Sequence, residues 1–147
     1  MRVSRPCSTL ARQLRAVGDV GRLTRTFSAA DVADFARLTG DTNPLHGDAA
    51  FAADHQFGAC VVHGMLYASM FSAIIGQRTP GAVYVSQSLA FRRPVMLGDT
   101  VTAEVEVQKV ARAGRVLDFV TRCTNQRDEL VLSGDARVLL PATSRGG

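Results

Sequence analysis

A carboxylate and an imidazole stand five positions apart in the segment Asp-Thr-Asn-Pro-Leu-His, residues 41–46. Pro44 has a fixed φ and pushes Asn43 toward extended geometry, so the side chains of Asp41 and His46 can converge across a rigid turn. Such a pair suits general acid–base catalysis, because an imidazole titrates near neutral pH and burial favours the protonated form of a carboxyl group. The same residues are also typical of a structural turn, in which Asp41 and Asn43 bond to the local backbone.

A second candidate feature is the pair His63 and Gly64, which leads directly into an apolar run. The amide of Gly64 would lie at the positive end of a helix with no side chain to shield it, and an oxyanion can be held there. Gly64 could equally serve close packing at a helix start. By itself, His63 is more often a structural histidine than a catalytic one.

Hydrophobic periodicity in the first half of the chain predicts the elements that must position these groups. They are, in order, a strand over 22–27, a helix from the N-cap Ser28 to Gly40, a turn over 41–47, a short helix over 48–55 capped by Asp48, and a helix over 64–75. The last helix is apolar almost all round, so other structure must wrap it.

After Pro80 and Gly81 the pattern changes from the helical period to a period of two. Alternation recurs in four successive segments, over 83–91, 101–107, 117–123 and 130–140. Four strands joined by short turns make an antiparallel sheet, and one apolar helix beside it predicts an α+β domain in which the sheet curls around the helix. Edge-to-edge pairing of two such sheets in a dimer is one way to cover an edge strand.

Composition limits the function classes. The chain of 147 residues has room for one globular domain, with 46% apolar residues. The net charge is +4, but four of the 17 basic residues lie within residues 1–18, and the other 13 balance the 13 acidic residues. A neutral body disfavours a nucleic-acid-binding protein. The apolar stretch 57–76 is interrupted by polar residues and glycines, so it predicts a buried helix instead of a membrane span.

Residues 1–18 are predicted to be a mitochondrial targeting leader, which leaves 19–147 as the folded domain. The opening is rich in arginine, lacks acidic residues and places Leu10, Leu14 and Val17 on one side of a helical wheel. A disordered basic tail, or a start codon placed too far upstream in a bacterial gene, would have the same composition.

Cysteine usage and ligand motifs indicate neither a disulfide framework nor a metal site nor a nucleotide-binding loop. Cys7, Cys60 and Cys123 are odd in number and widely separated, which is typical of reduced thiols and not of a disulfide framework or a zinc site. The sequence contains neither a cluster with metal-ligand spacing nor a glycine-rich nucleotide loop.

Four motifs occur in order along the body of the chain. They are the segment 41–46, His-Gly-Met-Leu at 63–66, Gln-Ser-Leu-Ala-Phe at 87–91 with Pro94, and Gly-Asp at 98–99 before a strand that alternates Val and Glu. Together they resemble the (R)-specific enoyl-CoA hydratases of the MaoC-like hot-dog superfamily. With the arginine-rich opening, the chain looks especially like the mitochondrial hydroxyacyl-thioester dehydratase type 2. The resemblance covers residues 18–141 and implies a hot-dog fold, a sheet wrapped around a central helix.

The resemblance also implies a reaction, the reversible hydration of trans-2-enoyl thioesters or dehydration of (R)-3-hydroxyacyl thioesters carried by CoA or acyl carrier protein. The carrier is part of the substrate, so no cofactor is expected, and a homodimer is the expected assembly. The family's functional positions fall on six residues here, which are the catalytic Asp41 and His46, the orienting Asn43, the oxyanion-binding Gly64, and Ser72 and Ile75 beside the acyl chain.

Other functions remain open from the sequence. A hot-dog thioesterase commonly carries a carboxylate on or beside its central helix, and residues 64–76 contain none. A non-catalytic acyl-binding subunit would not need the intact pair of Asp41 and His46. Arg92 and Arg93, beside Pro94, could receive the phosphates of CoA or of a phosphopantetheine arm, or could simply be solvated surface residues.

Overall fold

The computed structural model describes residues 12–142 as an antiparallel sheet packed against one long helix. The elements are β1 (Val20–Thr26), α1 (Ala29–Thr39), α2 (Pro44–Gly47), α3 (Ala49–Ala53), α4 (Gly64–Arg78), β2 (Val83–Gln87), β3 (Ala90–Phe91), β4 (Thr100–Ala111), β5 (Val116–Thr124) and β6 (Leu130–Leu139). The strand order is β1-β4-β5-β6-β2, and the short β3 also pairs with β6. The α+β architecture predicted from the pattern is confirmed.

The core lies between α4 and the concave face of the sheet. On β4 every second residue, Val101, Ala103, Val105 and Val107, is fully buried, as expected for a strand with one face on a core. α4 packs against β4 and β1. Its buried residues are Tyr67, Ala68, Met70, Phe71, Ile74 and Ile75.

The opposite side of α4 is open in the single chain. Met65, Ser69, Ser72 and Gly76 are exposed there. The expectation that structure wraps this helix on all sides therefore holds only for the side that faces the sheet. The open side carries small or flexible residues.

β1 crosses α4 at very close range, and a glycine makes this possible. A Cβ atom added to Gly21 would lie 2.5 Å from Cγ2 of Ile74 and 3.4 Å from Cγ2 of Val105. Only a residue without a side chain fits between strand and helix at this point.

α1 is delimited by local signals that the sequence contains. Ser28 caps its N-terminus in a capping box with Asp31. Gly40 ends it in the left-handed conformation, with φ of 81°. The predicted helix from Ser28 to Gly40 is confirmed, and the direction in which the chain leaves it determines where Asp41 lies.

The segment predicted as one strand over 83–91 is divided in the structure. β2 and β3 both pair with β6, and the register of β2 shifts between Tyr84 and Ser86. β2 is an edge strand, and Val83 and Val85 on it are 60% and 58% exposed. The alternation of apolar residues on β2 predicts a strand face that is buried against other structure. In the single chain, this face is exposed to solvent.

Part of the predicted leader packs on the fold. Leu14 is fully buried in the core, and the amide of Gly18 donates to the carbonyl of Val107 at 2.9 Å. The packed part of the chain thus begins before residue 19, the predicted start of the domain. Leu14, which the helical wheel placed on the apolar side of the leader, is part of the core. Residues 1–11 lie outside the described residues, so their role as a targeting leader stays a prediction.

Two further findings concern thiols and membranes. Cys60 and Cys123 are buried free thiols, and burial raises the pKa of Cys123 to about 12, while Cys7 lies outside the described residues. Within residues 12–142, none of the helices combines the length and the apolar character needed to cross a bilayer.

Candidate active site

The turn after α1 holds Asp41 and His46 through local backbone bonds. The Asn43 amide donates to Asp41 Oδ1 at 3.3 Å. Asn43 in turn caps α2, because its Oδ1 accepts from the amide of Leu45 at 3.1 Å, and Pro44 occupies the first helical turn. The segment expected to be a plain turn therefore contains a short helix, and that helix places His46 across from Asp41.

His46 is oriented by a bond to the chain segment before α4. Its Nδ1 lies 2.7 Å from the carbonyl oxygen of Val61. A carbonyl oxygen can only accept, so Nδ1 carries the proton and the lone pair of the neutral ring is on Nε2. The bond thus fixes which nitrogen of His46 is available as a base.

His63 is 1% exposed and contacts both members of the pair. Its Nε2 donates to the carbonyl oxygen of Asp41 at 3.1 Å and lies 4.0 Å from Asp41 Oδ2. Its ring stacks on that of His46, with ring centroids 3.8 Å apart. The ring of Phe35, on α1, also lies beside the His63 ring, with centroids 4.8 Å apart. Nδ1 of His63 is buried and finds no hydrogen-bond partner in residues 12–142. His63 is therefore a positioning residue for the site, and the sequence alone had favoured a structural role for it without naming its partners.

Gly64 is the first residue of α4, and its amide is open. His63 makes no side-chain capping bond there. The Gly64 amide also has no acceptor among the described residues. A Cβ atom at this position would lie 2.5 Å from Cε1 of Phe91, so the ring of Phe91 covers the place where any side chain would project. Open amides at a helix N-terminus are suited to binding an anionic oxygen.

These groups share one cavity of about 540 Å³. That volume is in the range of small-molecule sites. The polar groups that line it are Asp41, His46, His63, Gly64 and Tyr67, the apolar ones are Phe57, Val61, Val62, Met65, Phe91, Pro94 and Val95, and Arg92 and Arg93 also contribute. A polar end and an apolar wall fit a ligand with one reactive group and a hydrocarbon part.

A second cavity, of about 570 Å³, reaches the same pair from the side of α1. Asp41 and His46 line both cavities, and the Asp41 side chain is 49% exposed. The pair can therefore be reached from two sides of the protein.

Not all predicted site residues come together. Asn43 lies in the turn and acts through its two local bonds. Ser72 is exposed on the open side of α4, and Ile75 is 1% exposed in the core. Neither lines the cavity that holds the pair in the single chain, so their contact with an acyl chain stays a prediction.

Arg92 and Arg93 contribute to the same cavity as the pair. Nε of Arg92 donates to Oγ of Ser133 at 3.1 Å, which orients the guanidinium group, and the Arg92 amide is bonded to the carbonyl of Val131. The cavity thus has basic side chains in its lining besides its polar end.

Asp41, His46 and His63 offer possible ligand atoms that lie within 4.8 Å of one another. The two rings lie nearly parallel, with an interplanar angle of 28°, so their lone pairs do not converge on one point as metal ligation requires. Nδ1 of His46 and Nε2 of His63 already donate to carbonyl oxygens. The arrangement favours proton transfer over metal binding.

Tyr67 is a residue of the cavity that no sequence motif indicated. Tyr67 lies one turn after Gly64, lines the cavity and is 3% exposed. Its ring meets that of Phe91 edge-on, with centroids 6.1 Å apart. Burial raises the pKa of Tyr67 to about 12, so the hydroxyl group stays protonated. The helical spacing of three residues from Gly64 is the signal that could have identified it.

Comparison with known proteins supports this arrangement. Residues 16–127 match the family model described as "MaoC like domain". The (R)-specific enoyl-CoA hydratase of Aeromonas caviae is 46% identical over 90% of this chain and 100% of that protein. The mitochondrial 3-hydroxyacyl-[acyl-carrier-protein] dehydratase of Arabidopsis thaliana is 42% identical over 91% of this chain and 82% of its own length.

The fold agrees as well. The solved structure of the (R)-hydratase from A. caviae involved in PHA biosynthesis superposes with a TM-score of 0.83 at 47% identity, covering 86% of this chain and 97% of the other. The hot-dog fold implied by the motifs is thereby confirmed. Since the family model spans most of the described domain and a full-length relative shares nearly half of its residues, this chain belongs to the MaoC-like domain family.

Proposed function

We propose that this protein is a hydro-lyase that reversibly adds water to trans-2-enoyl thioesters, or removes it from (R)-3-hydroxyacyl thioesters. The observation that carries this proposal is the meeting of Asp41, His46 and the open amide of Gly64 in one cavity with an apolar wall. The relatives that bear hydratase and dehydratase names support the same reaction class.

In the hydration direction, a water molecule held between Asp41 and Nε2 of His46 attacks C3 of the enoyl group. The new C3–O bond pushes electrons through the double bond toward the thioester oxygen, where the amide of Gly64 stabilises the developing charge. One proton passes from the water to the acid–base pair, and the pair delivers one proton to C2. The protonation state of the pair is the same before and after the reaction, and dehydration is the reverse path.

The fixed tautomer of His46 identifies the nitrogen atom that exchanges the proton. Because Nδ1 donates to Val61, the lone pair on Nε2 is the basic site. His63 holds the backbone of Asp41 and stacks on the ring of His46, so both groups keep one geometry. Such preorganisation lowers the cost of bringing water and acceptor together.

For the carrier of the acyl group, we propose a phosphorylated pantetheine arm, as in CoA and acyl carrier protein. Arg92 and Arg93 border the cavity that holds the pair, and guanidinium groups bind phosphate well. Turnover of matched CoA and acyl-carrier-protein thioesters, with Arg93→Gln compared with the wild type, tests this step. A higher KM for both carriers supports it, and an unchanged KM contradicts it.

The main test is the loss of ultraviolet absorbance of trans-2-butenoyl-CoA as its conjugated double bond is hydrated. Asp41→Asn or His46→Gln should remove nearly all turnover while the fold is retained. Asp34→Asn and His55→Gln are matched controls, because both residues lie outside the lining of the catalytic cavity. Wild-type rates in either site variant would refute the assignment and favour a non-catalytic acyl-binding subunit.

We further propose a homodimer that pairs along β2. Its apolar edge residues Val83 and Val85 are exposed, and Met65 and Phe91, also exposed, line the mouth of the catalytic cavity. A second copy there would cover this apolar surface. Sedimentation velocity tests the proposal: the wild type should be a dimer and Val85→Lys a monomer. A monomeric wild type or a dimeric variant would contradict it.

For localisation, we propose the mitochondrial matrix, with the address in the arginine-rich opening. The Arabidopsis relative is named as mitochondrial, whereas the Aeromonas relative is bacterial. A fluorescent protein fused to residues 1–18 should enter mitochondria of a eukaryotic cell. Diffuse fluorescence would instead support a bacterial-type hydratase that works in the cytoplasm.

A further inference from the structure

Tyr67 has a buried side chain whose hydroxyl group has no partner in the protein. The residue is 3% exposed, yet Oη makes no hydrogen bond with the described residues. Oη is not fully enclosed by protein atoms, so it borders open space. Tyr67 lines the catalytic cavity. A buried tyrosine hydroxyl normally finds a partner. The missing partner therefore belongs to whatever fills the cavity.

Tyr67 and Gly64 belong to one wall of that cavity. Side chains on an α-helix lean back toward its N-terminus, so Tyr67 covers the turn that begins at Gly64. Phe91 links the two, since its ring lies over Gly64 and meets the ring of Tyr67 edge-on. The hydroxyl of Tyr67 and the amide of Gly64 are thus two donors without protein acceptors on the same wall.

We propose that the hydroxyl of Tyr67 donates a second hydrogen bond to the thioester carbonyl oxygen of the substrate, alongside the amide of Gly64. This inference rests on the proposed function. A carbonyl oxygen has two lone pairs, and one amide leaves one of them free when negative charge develops. The raised pKa of Tyr67 keeps the hydroxyl protonated over the working range of the enzyme. Tyr67 is then a catalytic residue that touches the reacting group.

The kinetic test uses Tyr67→Phe, which removes one oxygen atom and keeps the ring. With trans-2-butenoyl-CoA as substrate, kcat and kcat/KM should both fall by about 10²-fold, because losing a donor to an oxyanion costs about this much. Tyr84→Phe is the matched control. Its hydroxyl donates to Oε1 of Gln87 and Tyr84 does not line the cavity, so its kinetics should equal those of the wild type.

A spectroscopic test separates hydrogen bonding from packing. In Asp41→Asn the substrate persists, so the infrared band of a carbon-13-labelled thioester carbonyl can be recorded in the bound state. Adding Tyr67→Phe should shift that band to higher frequency, because a donor to the oxygen is lost. A purely structural role of Tyr67 would leave the band in place.

The possible results separate a failure of the Tyr67 proposal from a failure of the proposed hydratase function. A fall in kcat together with a shifted carbonyl band supports the second donor. A wild-type kcat in Tyr67→Phe, or an unmoved band, overturns the inference and leaves the hydratase function standing. A wild-type protein without hydratase activity overturns both.

Discussion

The substitution Gly64→Ala tests the oxyanion role of the amide most directly. The added Cβ atom would lie 2.5 Å from Cε1 of Phe91 and 3.0 Å from its Cδ1 and Cζ. Real Cβ atoms do not approach other atoms so closely, so the ring must move. Phe91 is partly exposed at the sheet edge, and its ring can rotate outward. The added methyl group and the displaced ring of Phe91, which lines the same cavity, then change the shape of the wall beside the amide, against which the thioester oxygen has to lie.

The expected magnitudes differ for stability and for turnover. Stability should change by less than about 1 kcal/mol, since the ring can rotate away and alanine favours a helix more than glycine does. The turnover number should fall by about 10²–10³, or about 2.7–4 kcal/mol in barrier height, because the reshaped wall holds the thioester oxygen away from the amide that stabilises its developing charge.

Gly76→Ala on the same helix is the control. No atom lies within 4 Å of its added Cβ, and the residue is exposed. This variant should gain about 1 kcal/mol of stability and keep wild-type kinetics. Thermal unfolding and the absorbance assay with trans-2-butenoyl-CoA measure both quantities. A Gly64→Ala protein that turns over like the wild type would refute an oxyanion role for this amide.

Three further predictions concern positioning, packing and charge. His63→Phe keeps the stacked ring but loses the donor to Asp41, so kcat should fall at constant KM, and His63→Gln, which retains an N–H donor, should recover part of it. Gly21→Ala should cost about 1–3 kcal/mol in chemical denaturation, because its Cβ would overlap a side chain of α4. Hydrogen bonds from Arg137 lower the pKa of Asp118, so this carboxylate stabilises the fold above its ordinary pKa, and that contribution is lost as pH falls through the lowered value. Asp118→Asn should therefore destabilise the protein more at pH 7 than at pH 2, which urea titrations at the two pH values would show.

Local signals in the sequence were sufficient for the elements that surround the site. The N-cap at Ser28 and the left-handed Gly40 delimit α1 because each acts within one helical turn. The alternation on β4 predicted its buried face, because residues of one parity must share a side of a strand. The spacing of Asp41 and His46 within one turn likewise made the two residues candidates for acid–base chemistry, although the same pattern is typical of a structural turn.

Contacts between distant segments needed the folded chain. The bond from His46 to Val61, the stack on His63 and the ring of Phe91 over Gly64 join residues that no local pattern relates. Their positions follow from how the sheet curls around α4, a property of all strands together.

The sequence by itself thus predicted which side chains are candidates for hydration and which helix and strands would carry them, because caps, turns and periodicity act over a few residues. The tertiary structure alone decided which nitrogen of His46 is free, that the hydroxyl of Tyr67 lacks a protein partner, and that Leu14 belongs to the core. The physical reason is that hydrogen-bond partners and burial depend on atoms brought together from distant parts of the chain, whereas helix caps and strand faces do not.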